Sequence, residues 1–264
     1  MNKILLQFFI TVAVFATIYF GLSQIDWIAV LKVKEASKKT EEKLGDFFWE
    51  LFSKADEEIH DEKTVAIIDS LVNHLCEANS IDQTKIKIHI LKNGEVNAFT
   101  LPNNYLVIYS GLIKSTENEA ELLGVVGHEL AHMEKGHVMK KLIKEIGLSA
   151  LISMTAGGGG QTVKEALKLL SSSAYDRDLE READITSVEY MIRARIDPEP
   201  FANFMYRLSD KEKNLPSQAY WISTHPDSKE RAEYIINYIK GKTFIKKPLL
   251  TESQWKELKE RVKN

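Results

Sequence analysis

Only one cysteine, Cys76, occurs in the 264 residues. An intrachain disulfide is therefore excluded, and so is any cluster of cysteine metal ligands. The chain also lacks an excess of positive charge. Its 35 Lys and Arg stand against 38 Asp and Glu, for a net charge of -3, whereas a nucleic-acid partner calls for a basic face. Runs such as "KVKEASKKTEEK" mix both signs and read as a solvated helix face. There is no internal repeat. No Gly-Lys-Ser/Thr follows the glycine run at 157–160, which excludes a phosphate-binding loop; the run reads as a connector that doubles as a lid. No serine or cysteine is set beside a base as a nucleophile, so no acyl-enzyme is expected. What remains is a chain with 44% hydrophobic and 28% charged residues. That is a globular composition, and the length suffices for one well-packed domain with accessory segments.

One long apolar run is present. "ILLQFFITVAVFATIYFGL" (4–22) holds 19 residues without a charge. As a helix it is about 29 Å long, close to the thickness of a bilayer core. Residues 1–23 thus read as a membrane anchor or as a signal peptide, with Gly21-Leu22-Ser23 supplying small residues for cleavage before Gln24. The third alternative is a buried core helix. Lys3 precedes the run, and Lys32, Lys34, Lys38 and Lys39 follow it, so the lysine count does not fix an orientation. The short lead before the run favours export, with the rest of the chain outside the cytoplasm.

Residues 24–60 read as a helical juxtamembrane segment with Trp27, Phe47, Phe48, Trp49 and Phe52 as packing aromatics. A domain is expected over 61–245, followed by a C-terminal helix over 246–264. Val65, Ile68, Leu71, Val72 and Leu75 recur with helical spacing. The period then changes. "KIKIHIL" (85–91) alternates and predicts a strand with His89 on its exposed face. "EVNAFTL" and "YLVIYSG" predict two more strands, joined by a turn at Pro102-Asn103-Asn104. Helical patterns occupy the remainder. "IGLSALISMTA" is too short to cross a membrane, and Phe201, Phe204, Met205 and Leu208 read as core. The fold class is α+β, mostly helical with a small early sheet.

Chemistry concentrates in "ELLGVVGHELAHMEKGHV" (121–138). Thr116 and Glu119 fit a capping box, which predicts a helix start near Glu117. On that helix His128 and His132 are four residues apart and share one face, a separation at which two imidazoles bind one cation. Glu129 is displaced by one residue, so its carboxylate lies beside a water on the metal rather than on the metal itself. Such a water ionises near pH 7 on zinc, and the carboxylate can carry its proton to a leaving amine. A chance His-Glu-x-x-His arises in about one such chain in a hundred, so a third ligand must decide. The extended metzincin pattern fails, because Lys135 and Val138 occupy its glycine and final histidine positions. His137, five residues after His132, points to a different side of the helix and reads as structural or incidental. The remaining source is "YDRDLEREAD" (175–184), where Glu180 and Asp184 share a helix face and Glu182 lies nearly opposite. With Glu180 on the metal, Asp184 is placed to accept from a ligand histidine.

Four segments together carry a resemblance: "NAFTLPNNYLVIYSGLI" (97–113), "ELLGVVGHELAHMEKGH" (121–137), "YDRDLEREAD" and "STHPDSKER" (223–231). In order and spacing the chain resembles the HtpX, BepA and CAAX prenyl protease family of gluzincin metallopeptidases, in its BepA-like periplasmic branch, over about residues 60–240. The resemblance implies a zincin-like domain with one Zn2+ per chain on His128, His132 and Glu180, and Glu129 as general base. Asp184 and Arg177 would stand behind the ligands. Asn97, Ala98 and Phe99 would form an exposed edge strand that takes an extended substrate. His225 looks like a fourth metal ligand that holds the enzyme shut; donation to an oxyanion and a turn cap before Pro226 are its alternatives. Arg231 would stabilise the tetrahedral intermediate or pair with a helix carboxylate. One departure is Asp176, where the family has serine, which bears on the local capping. The implied activity is a membrane-anchored or exported endopeptidase acting on unfolded or misassembled envelope proteins. A zinc-stabilised chaperone, its hydrolysis held off by His225, is the alternative. An integral membrane enzyme of CAAX type needs several spans, and only one candidate is present.

Overall fold

A computed structural model of the chain describes residues 3, 11–12, 33–155, 157, 160–172, 175–212, 225, 227–242 and 246–263. The apolar run at 4–22 lies outside these apart from Thr11 and Val12, which are helical. Among the described residues no helix is long and apolar enough to cross a membrane. The chain forms two compact units, Met1–Thr40 and Glu41–Asn264, and the second contains every element described below apart from the start of the first helix. The aromatic helix predicted before residue 60 thus contributes its C-terminal half to the same unit as the domain predicted for 61–245.

Two helices come first, α1 (Val33–Ala55) and α2 (Glu62–Ala78), the latter capped by Asp61, whose carboxylate accepts from Thr64 N at 2.9 Å. The sheet follows: β1 (Lys87–Leu91), β2 (Ala98–Leu101) and β3 (Tyr105–Tyr109). Their order is β1-β3-β2, with β2 antiparallel and β1 parallel to the central β3. The predicted turn closes the β2–β3 hairpin through Asn103 and Asn104, both in the left-handed region at φ 65° and 59°, which asparagine tolerates best among residues with a Cβ. Then come α3 (Ser110–Ser115), α4 (Glu119–Glu134), α5 (His137–Ile146), α6 (Leu148–Thr155), α7 (Gly160–Ser172), α8 (Arg177–Arg193), α9 (Glu199–Glu212), α10 (Ser228–Ile239) and α11 (Glu252–Arg261).

The sheet separates two apolar cores. Leu106 and Ile108 of β3 face a core shared with α2, α4, α8, α9, α10 and α11, while Tyr105, Val107 and Tyr109 face one shared with α1, α5, α6 and α7. A strand buried on both faces has no polar side, which is why β3 reads "YLVIY" without alternation. Two local expectations differ. The α4 cap is Asn118, accepting from Glu121 N, because Thr116 ends α3 and its hydroxyl donates back to Leu112 O and Ile113 O. His89 is not on an open face: Trp49 of α1 stacks on its ring at 3.6 Å, and Glu58 bonds its Nδ1 at 2.5 Å. Alternation marks the less apolar side of a strand, but not whether another element covers it.

The fold brings α4 close to α8 and α9. A Cβ on Gly124 would lie 2.3 Å from the Phe201 ring, and one on Gly127 would lie 2.7 Å from Ser187 Oγ. These two glycines let the helices approach more closely than side chains permit. Ser187 Oγ then donates to Gly124 O at 2.7 Å, a buried bond that fixes the position of α8 along α4.

Candidate metal centre

One helical turn separates His128 from His132 on α4, and α8 lays Glu180 against the pair. His225, three residues before α10, completes the group. The ligand atoms of these four residues lie within 4.8 Å of one another, and all four are buried. His132 Nε2 is 2.9 Å from His128 Nε2 and 3.5 Å from Glu180 Oε1, and His128 Nε2 is 3.6 Å from Glu180 Oε2. His225 Nδ1 stands 3.2 Å from His128 Nε2 and 2.9 Å from Glu180 Oε1. Donors at zinc-ligand distances from one tetrahedral ion are about 3.4 Å apart, so the residues fit. Three imidazoles with one carboxylate also match zinc by donor type, whereas calcium and magnesium take oxygen. Glu129 is buried beside the group, its Oε1 3.3 Å from His225 Nε2.

The outer partners differ from ligand to ligand. His128 Nδ1 meets Asp184 Oδ1 at 2.8 Å. Asp184 in turn accepts from Arg231 Nε and a terminal guanidinium nitrogen at 2.8 and 2.7 Å, and from the Tyr234 hydroxyl. Arg231 also donates to His225 O at 2.9 Å and stands 3.1 Å from Glu180 Oε2. His132 Nδ1 meets His137 Nδ1 at 2.9 Å, and the Tyr175 ring stacks on His132 at 4.2 Å.

Burial and charge explain the protonation of these groups. Burial and the neighbouring His132 push His128 down to about 4. For His225, burial works downward but is outweighed by Glu180 and Glu129, which push it up to about 9. Burial works upward on the carboxylates. His225 outweighs it at Glu129, His225 with Arg231 at Glu180, and Arg231 with His128 at Asp184, so all three are held below their usual range. Buried carboxylates persist as anions only with such cationic partners.

His128, His132, Glu180, His225, Glu129 and Asp184 thus come together, although 97 residues separate the first from His225. Of the two expectations for Arg231, pairing with a helix carboxylate is the one observed: its donors are engaged by Asp184, Glu180 and the His225 carbonyl. Two other expectations change. Arg177 opens α8 pointing outward; it is exposed and pairs with Asp227 at 3.0 Å rather than with a residue of the metal group. Asn97, Ala98 and Phe99 do lie at the sheet edge, but they are buried, with Phe99 against Phe52 of α1 and α7 beside β2. The Asp176 side chain makes no cap bond to α8 and pairs with Lys144 at 2.9 Å instead. The residue that sequence reasoning passed over is His137. Gly136, at φ 64°, ends α4 and turns the chain, so His137 folds back to His132 instead of pointing away along a continuous helix. A glycine four residues past His132 is the sequence signal for that turn.

Comparison with known proteins adds independent findings. The model for peptidase family M48 matches residues 62–239. The chain is 26% identical over 197 residues to a beta-barrel assembly-enhancing protease of Yersinia pestis, covering 69% of this chain and 40% of that protein. It is 29% identical over 187 residues to the mitochondrial metalloendopeptidase OMA1 of Bos taurus, covering 64% and 36%. It is 31% identical over 166 residues to the metalloprotease LoiP of Escherichia coli K12, covering 60% and 64%. The match therefore spans between about a third and two thirds of these relatives' own length.

Proposed function

Because the chain belongs to peptidase family M48, we propose that it is a zinc-dependent endopeptidase with His128, His132 and Glu180 as metal ligands and Glu129 as general base. The carrying observation is the gathering of four buried ligand atoms within 4.8 Å, drawn from two helices and a distant loop residue. A zinc ion held there supplies Lewis acidity and a water that ionises near pH 7. Glu129 is ionised, takes the proton released on attack at the peptide carbonyl, and delivers it to the leaving nitrogen. Asp184 holds the His128 ring, and Arg231 holds Asp184 and Glu180 in place.

The substrate is extended polypeptide, added as a strand along Asn97-Ala98-Phe99, where main-chain hydrogen bonds give binding that tolerates many sequences. That edge is buried here, so binding requires its cover to move. The name of one relative, a beta-barrel assembly-enhancing protease, supports a role on misassembled envelope proteins. The apolar run at 4–22 supports a membrane-anchored or exported protein with this domain on the extracytoplasmic side. Metal analysis and casein degradation test the activity: one zinc per chain is expected, with hydrolysis lost on chelation and restored by zinc. A protein that holds no metal, or degrades casein equally well after chelation, ends this reading.

A second reading has its own observation. His225 presents Nδ1 to the other ligands and Nε2 to Glu129, in a site closed to solvent. Placed so, His225 acts as a fourth ligand that excludes the attacking water, and the protein serves as a zinc-stabilised assembly factor until His225 leaves. His225→Ala is then at least as active on casein as the wild type. A clear loss of activity in that variant removes the switch.

A further inference from the structure

The two ligand histidines of α4 are supported differently. His128 Nδ1 faces the Asp184 carboxylate, but His132 Nδ1 faces another imidazole, His137 Nδ1, at 2.9 Å. Two ring nitrogens that close share one proton. With His132 Nε2 turned to the metal, His132 Nδ1 carries the proton and His137 Nδ1 accepts it. The proton of His137 then resides on Nε2, 3.3 Å from Glu182 Oε2, although without the alignment of a hydrogen bond. Glu182 is itself anchored by Lys135 at 3.2 Å.

We propose that His137 is a positioning residue for the metal centre: it accepts from His132 Nδ1, sets that ring's tautomer and rotation, and is backed by the surface pair Glu182–Lys135. The inference rests on His132 being a metal ligand, as proposed above. A packing role alone does not account for the geometry. His137 is wholly buried, and its Nδ1 is spent on the one ring atom of His132 that faces away from the other ligands. Charge explains why an imidazole serves where His128 has a carboxylate. Glu129, Glu180 and Asp184 already place three buried anions around the site, and another at position 137 would need a further buried cation. A neutral acceptor orients His132 without that cost.

The test is zinc affinity of the full chain, measured by competition with a chelator. His137→Leu keeps the bulk and removes the acceptor; it is expected to weaken zinc binding about 10–100-fold, the usual effect of removing such a support. His137→Asn returns an acceptor near the Nδ1 position and restores most of the affinity. In zinc-loaded wild type with ¹⁵N-labelled histidine, His132 shows a protonated Nδ1 with scalar coupling to His137 Nδ1, a readout that holds even if His137→Leu fails to fold. A His132 Nδ1 without its proton, an absent coupling, or a His137→Leu protein that binds zinc as tightly as wild type overturns the proposal. Failure of the wild type to bind zinc at all instead overturns the functional reading beneath it.

Discussion

Glu129→Gln is expected to retain zinc and to lose about 10²–10⁴-fold of casein hydrolysis, the range supplied by a general acid–base group. The substitution keeps size and shape and removes only the ability to take a proton. Glu129 is one residue away from a ligand on α4, so it faces the group without joining it, and the ligand atoms of His128, His132 and Glu180 are untouched. Metal content separates this outcome from damage to the site. The same variant distinguishes the two readings in the cell: a Glu129→Gln protein that keeps all cellular function shows that hydrolysis is not the protein's task, and the assembly-factor reading stands.

Arg231→Leu produces the largest change in stability, about 3–5 kcal/mol, as expected when one partner of a buried ion pair is removed. Arg231 is buried with Asp184 and Glu180, and it also donates to the backbone at His225. Its loss takes the guanidinium from Asp184 and one of two cationic partners from Glu180, and removes the donor to the His225 carbonyl. Urea unfolding of the metal-free protein measures this without interference from zinc. Adding Asp184→Asn to Arg231→Leu is expected to recover part of the loss, because the second substitution removes the charge left without its guanidinium. An Arg231→Leu protein as stable as wild type but inactive would return Arg231 to the role of oxyanion donor.

What was legible in advance followed short-range geometry. The four-residue spacing of His128 and His132, and of Glu180 and Asp184, places each pair on one face of whatever helix holds it. The three strands and the Pro102-Asn103-Asn104 turn were likewise marked by local pattern. The misreadings came where a local signal was weighed without its surroundings. Thr116 has the residue type of a cap, but it closes α3, and Asn118 opens α4. His89 alternates outward along β1, but Trp49 covers it.

Which of the candidate side chains share a helical turn is written in the chain itself, because a 3.6-residue period is a property of the backbone alone. The tertiary structure decided that Glu180 meets His128 and His132, since that distance depends on Gly124 against Phe201 and on Ser187 against Gly124, contacts between distant parts of the chain. It also decided that Arg231 is held by carboxylates, that the β2 edge is covered, and that His137 turns back at Gly136 to reach His132. Each of these depends on what packs against a residue, and packing partners are chosen by the whole fold.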